Sequence, residues 1–193
     1  MSNQSNQTEE TPYVGEKIQV IKLEKPILLL THFTNKGYLF YQLAQESKDA
    51  ICNHEQLPEH LRTPVIEFLS QHGHTTLVGN FGKVNKKSYE GMGAVKGTLK
   101  HFPQLKKGLA VNLEMTHLAI LDGSDVVCGR VQPAKDQDFE DPVILREQLP
   151  QDVGLAPEIY QGISHVTLHV DTSKGFKPVN SNDVLLTVKD QFE

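Results

Sequence analysis

The sequence predicts an α+β fold, and three observations carry that expectation. Strand-like alternation dominates the second half of the chain, helix-compatible segments lie near its start, and Asp122-Gly123-Ser124 joins two apolar runs as a hairpin turn. In chain order, Lys17–Leu30 has the apolar content of a strand that Pro26 interrupts. Gly37–Ala50 places Leu39, Leu43 and Ala50 at helical spacing, and Leu61–Leu69 reads as a second helix with Thr63 as N-cap and Pro64 at the first helical position. Leu109–Leu121 and Asp125–Gln132 are the hairpin strands. Lys135–Pro157, acidic and carrying Pro142, Pro150 and Pro157, reads as an irregular connection with a short helical piece. Gly162–Val170 is a further strand, a turn follows at Ser173-Lys174-Gly175, and Asp183–Val188 closes the pattern as a strand or a helix.

The 193 residues carry 24 acids against 19 lysines and arginines, a formal charge of −5, which suits one soluble domain. Residues 1–16, polar and acidic, read as a disordered lead-in with neither the basic start nor the apolar stretch of a signal peptide, and 17–193 as a single domain. The longest apolar run, Ile27–Leu30, falls far short of the roughly 18 residues of a membrane span. Cys52 and Cys128 are too few for a disulfide framework, so a reducing, cytoplasmic setting and a monomer away from membranes are expected. Charge is unevenly spread: Lys83–Lys107 holds seven lysines and one acid, Glu90. An acidic chain with one basic stretch is a poor match for duplex DNA and a better one for a single phosphate-bearing ligand.

Histidine carries the chemical signal. Nine histidines and 12 threonines would produce roughly 0.6 His-x-Thr triplets by chance, yet three occur, at His32-Phe33-Thr34, His74-Thr75-Thr76 and His165-Val166-Thr167. On a strand, residues i and i+2 share a face, so each triplet sets an imidazole beside a hydroxyl while the other face serves the core. Val166, Leu168 and Val170 alternate with His165, Thr167 and His169 in that way. Two such strands across a cleft suit phosphodiester cleavage without a metal: a neutral imidazole takes a proton from water, a protonated one delivers a proton to the leaving oxygen, and hydroxyls bond the phosphoryl oxygens.

The stretch His74-Thr75-Thr76 through Asn80-Phe81-Gly82, the hairpin, and Ser164-His165-Val166-Thr167-Leu168 resemble, in order, the catalytic domains of 2H phosphoesterases of the 2′,3′-cyclic-nucleotide 3′-phosphodiesterase type. The resemblance spans about Leu28 to Val188. It implies a two-lobed fold, antiparallel sheets facing a central cleft with helices outside. It also implies hydrolysis of 2′,3′-cyclic nucleotides or RNA 2′,3′-cyclic ends to 2′-phosphates, with no metal or other cofactor. His74 and His165 become the catalytic pair, Thr76 and Thr167 the phosphate-binding hydroxyls, and Phe81 the nearest match to a base-stacking aromatic. Sequence does not decide which imidazole is the base; the preferred assignment gives water to His165 and the leaving oxygen to His74. Where the family carries a basic residue two positions before the second histidine, this chain has Ile163. With neither a P-loop motif nor a prenylation box, the chain reads as the bare catalytic domain. An RNA-end-binding module of the same fold without turnover is the alternative.

Other residues invite competing readings. His32 is a rival for the first catalytic position but lies outside the hairpin context. His117, His169 and Arg130 are expected to be structural, with His169 bordering the cleft. His54, His60, His72 and His74 lack a third ligand at zinc spacing. Gly91, Gly93 and Gly97 with Lys96 and Lys100 read equally as a basic flap over the phosphate or as a surface loop.

Overall fold

The computed structural model describes residues 17–78, 90–135, 143–149 and 162–192, without the side chains of 90–94. Six strands form one antiparallel sheet: β1 (Ile18–Asn35), β2 (Leu39–Leu43), β3 (His74–Val78), β4 (Ala110–Leu121), β5 (Val126–Pro133) and β6 (His165–Val170). The order across the sheet is β3-β2-β1-β4-β5-β6. Its two end strands, β3 and β6, curl back against each other, so the sheet is nearly closed into a barrel. Among the described residues, four helices join the sheet in an α+β architecture: α1 (Gln45–Cys52), α2 (Glu59–Gln71), α3 (Glu90–His101) and α4 (Asn180–Thr187).

The alternation of β1 explains the two faces of the sheet. Ile27, Leu29, Thr31 and Phe33 are buried, while Leu28, Leu30, His32 and Thr34 take the opposite side. Pro26 does not end the strand. It sits where the β1–β4 register shifts between Lys22 and Ile27, a place where its missing N–H is tolerated. From Leu113 onward β4 is buried at every position, because both faces are covered. One side packs Leu113, Met115, Leu118 and Ile120 into the main core with α1 and α2. The other packs Ala119 and Leu121 with Cys128, Val170, Val184 and Leu185 beneath α4.

Helix α2 buries Leu61, Val65 and Leu69, one stripe at four-residue spacing, each contributing roughly 1.5–3 kcal/mol. The helix starts before the expected Thr63, with Pro58 as N-cap, and Pro64 lies inside it at the cost of one backbone donor. Arg62 ties the α1–α2 connection together: its guanidinium donates to the carbonyls of Cys52, His54 and Leu57 and pairs with Glu59 at 2.9 Å. It thereby occupies the Cys52 carbonyl at the end of α1 and two carbonyls of the connection that follows.

Other expectations change or are resolved. Gly37–Ala50 is not one helix: Leu39–Leu43 is a strand and α1 begins at Gln45. A four-residue spacing also fits period two, and Leu39, Tyr41 and Leu43 share the core face of a strand. Glu90–His101 is helical, against both the flap and the loop reading. Tertiary packing overrides its glycines, since Thr98 is fully buried and Val95 and Leu99 pack on the core. Asp183–Val188 resolves as the end of α4, continued by a single 3₁₀ turn. The hairpin stands as expected, with Gly123 and Ser124 both at positive φ in its turn. Residues 1–16, Phe81, residues 83–89 and most of the acidic connection up to Pro157 lie outside the described residues. Among the described residues, both cysteines are free buried thiols and no helix is long and apolar enough to cross a membrane.

Replacing Arg62 with alanine is expected to lower stability to urea by about 1–3 kcal/mol, because several carbonyls lose their donor together. Arg62→Lys should recover only part of this, since an ammonium cannot fork to three carbonyls.

Candidate functional site

The contact between the two end strands brings the second and third His-x-Thr triplets together. On β3, Thr75 and Leu77 are buried and His74 and Thr76 are half-exposed, so imidazole and hydroxyl share the outer face. Phe40, directly across from Thr76 on β2, sets its ring edge against His74 at 5.2 Å between centroids. Gln42, across from His74, donates its amide to the carbonyl of Gly73 at 2.9 Å. Phe40 thus flanks the imidazole, and Gln42 ties down the backbone just before it. Burial lowers the His74 pKa, and the nearby His72 adds to the effect.

On β6, Val166, Leu168 and Val170 point to the cores while His165, Thr167 and His169 alternate with them. His165 is only 9% exposed. Its Nδ1 lies 2.6 Å from the Ile163 carbonyl, an acceptor, so the ring proton sits on Nδ1 and donates there. The neutral ring therefore presents the Nε2 lone pair. Burial pushes the His165 pKa down to about 4; the Ile163 carbonyl opposes this, while the charges of Arg146 and His74 reinforce it. The contact of β3 with β6 sets His74 and His165 on adjoining strands, and the His74 charge adds to this lowering.

Helix α4 braces the third triplet. Thr167 Oγ1 is 2.9 Å from the fully buried Ser181 Oγ, and the Asn182 side chain accepts from the backbone N–H of Ile163 at 3.2 Å. Thr167 Oγ1 also donates to the Pro178 carbonyl at 3.4 Å, which ties the hydroxyl to the start of α4.

A third segment closes the site. Val143, Ile144 and Leu149 are buried, and the fully buried Tyr41 of β2 donates its hydroxyl to the Ile144 carbonyl at 2.9 Å. Between these anchors, a 3₁₀ turn at Arg146–Gln148 packs against β3 and meets the residues just before β6. Arg146 N–H donates to Ser164 Oγ at 3.0 Å, and both the N–H and the hydroxyl of Ser164 donate to the Glu147 carboxylate. The Arg146 side chain lies close along Gly162, where a Cβ would overlap Nε and oblige the arginine side chain to shift.

Other candidates fall elsewhere. His32 is exposed on β1, in the cross-strand row His74–Gln42–His32, two strands in from His74. His117 is buried, bonded to Thr116 at 2.8 Å and edge-on to Phe192. Arg130 stands directly across from His165, but its guanidinium lies over the Phe192 ring and donates to Gln132. His54, His60 and His72 each have separate partners: the Gln56 N–H, Ser124 and the Phe68 ring. No three His, Cys, Asp or Glu side chains converge as metal ligands among the described residues. Lys96, Lys100, Lys106 and Lys107 are exposed on α3 and the turn after it, a solvated basic face. Phe81 lies outside the described residues.

Sequence reasoning missed Arg146, Glu147, Ser181 and Phe40. Arg146 and Glu147 sit in a segment whose only signals were charge and prolines. Ser181 carried a faint sign, in the run Asn180-Ser181-Asn182-Asp183 at a helix start.

The His165 shift makes a stability prediction. The folded pKa lies below the unfolded value of about 6.5, so the folded state resists protonation, and stability present above that pH is lost as pH falls through about 4. This loss amounts to at most about 3 kcal/mol. Urea denaturation at stepped pH should show it in the wild type and not in His165→Gln; equal pH slopes in the two proteins would contradict the assignment.

Comparison of the chain with family models, with curated proteins and with solved structures returned no match.

Proposed function

We propose that the protein hydrolyses 2′,3′-cyclic phosphates, of nucleotides or of RNA ends, to 2′-phosphates. The observation that carries this reading is the meeting of two His-x-Thr strands, His74/Thr76 and His165/Thr167, at the closure of one sheet. The halves of that sheet, β3-β2-β1 and β4-β5-β6, would stand for the two lobes implied by the resemblance to 2H phosphoesterases.

The ring geometry supports His165 as the base. Its Nε2 lone pair takes a proton from water as the water oxygen attacks phosphorus. The bond from phosphorus to the 3′ oxygen breaks, and that oxygen takes its proton from His74. The product keeps phosphate on the 2′ oxygen and frees a 3′ hydroxyl. Thr76, Thr167 and backbone donors bond the non-bridging oxygens as charge gathers on them.

Protonation follows from burial. In the free protein both imidazoles are biased to the neutral form, which suits the base but disarms the acid. A phosphate anion between them reverses that bias, because an opposite charge raises a histidine pKa. The site is thus armed by its own substrate.

With 2′,3′-cyclic AMP the expected product is 2′-AMP, formed equally well in EDTA. His74→Ala and His165→Ala should each lower kcat by about 100- to 10,000-fold while circular dichroism stays native. Near-wild-type turnover in either variant would overturn the reading, and tight binding of a cyclic RNA end without any product would select the binding module instead. The pH profile of kcat/KM should be a bell lying below 6.5, with its acid limb near 4 and its alkaline limb set by the lowered pKa of His74. The alkaline limb of kcat should lie higher, reporting His74 with the anion bound.

A further inference from the structure

We infer that Arg146 is the phosphate-binding cation of this site, supplied from the connection between β5 and β6 rather than from the strand that carries His165. The inference rests on the phosphodiesterase reading for the identity of the anion, and it adds a residue that neither the triplets nor the resemblance points to. Position 163, where the resemblance places a basic residue, holds Ile163, which packs on the smaller core under α4 and turns its carbonyl to His165. The charge near the site has moved to another part of the chain.

Three independent features put it there. The backbone of Arg146 is fixed from the β6 side, through its N–H on Ser164 Oγ, and Ser164 is itself 1% exposed and the immediate neighbour of His165. It is fixed from the β2 and β3 side through the Tyr41 hydroxyl on Ile144 and the packing of the 3₁₀ turn on β3. The side chain lies along Gly162, whose missing Cβ makes the room for Nε, Cδ and Cζ. A guanidinium held on a bare backbone three residues before His165, at the junction of the two histidine strands, is placed to meet an anion shared by both imidazoles.

The charge arithmetic also requires a cation. Two neutral imidazoles and two hydroxyls supply no net positive charge to hold a phosphate before proton transfer. A fixed guanidinium is always charged, and its planar fork matches phosphoryl oxygens.

The test uses the full chain and two probes, inorganic phosphate and 2′,3′-cyclic AMP. Calorimetry should show phosphate binding to the wild type weakened about 10-fold or more in Arg146→Ala, and kcat/KM for the cyclic nucleotide should fall by about 10- to 100-fold. Arg146→Lys should keep part of both. Gly162→Ala, which changes no charge, should reproduce the loss by displacing the guanidinium. In ligand-free Arg146→Ala the His165 ring should titrate at higher pH by NMR, because a positive neighbour has gone. A native-like Arg146→Ala that retains phosphate affinity and kcat/KM would overturn the inference and leave the phosphodiesterase reading standing. Arg146-dependent phosphate binding in a wild type that leaves the cyclic ester intact would overturn that reading and leave an anion site at Arg146. A wild type that neither binds phosphate nor cleaves the ester would overturn both.

Discussion

Everything at the candidate site depends on the closure of an open sheet. Strands β3 and β6 stand at opposite ends of the order β3-β2-β1-β4-β5-β6 and come together without forming a ladder. An edge strand leaves backbone N–H and C=O groups unpaired, which is costly if they are buried and hazardous if they are exposed. Here the segment Val143–Leu149 bridges the closure by side chains and caps. Its apolar residues enter the core, Tyr41 holds it from the β2 side, and Ser164 holds it at the foot of β6. The same bridge that closes the sheet sets Arg146 against Gly162, where its charge acts on His165.

Burial then sets the electrostatics. His165 is packed more tightly than an imidazole meant to be charged in the resting protein would be, and its Nδ1 proton is committed to a backbone carbonyl. One hydrogen bond fixes tautomer and ring orientation together. His74 is held more loosely, between an aromatic edge and a glutamine row, and feels the charge of His72 rather than a bonded carbonyl. Two histidines in the same sequence triplet thus sit in different environments, the condition under which one fold separates an acid from a base.

Much of the architecture was legible locally. The hairpin through Asp122-Gly123-Ser124 follows from turn chemistry, and β6 from strict alternation around His165. The Leu61–Val65–Leu69 stripe marks α2, although its start was misplaced because Thr63-Pro64 imitates a capped beginning. Leu39 and Leu43 misled because four-residue spacing satisfies helix and strand alike; only pairing with β1 and β3 on both sides decides for strand. In Glu90–His101 the glycines argued against a helix, and burial of Thr98 and neighbouring apolar residues outweighed a propensity cost of about 1 kcal/mol per glycine.

The chain by itself determined the composition of the candidate site, since period two on a strand pairs His74 with Thr76 and His165 with Thr167 whatever lies around them. Tertiary structure alone decided which of three His-x-Thr triplets meet. His32 shares a sheet face and a cross-strand row with His74, yet β2 lies between them, while His165, 91 positions away in sequence, is brought alongside by closure. It also decided where the positive charge comes from. Arg146 has no periodic or motif signal, because a residue held by Gly162, Ser164 and the Tyr41–Ile144 bond is placed by contacts distant in the chain, and sequence patterns record only what neighbours along the backbone impose.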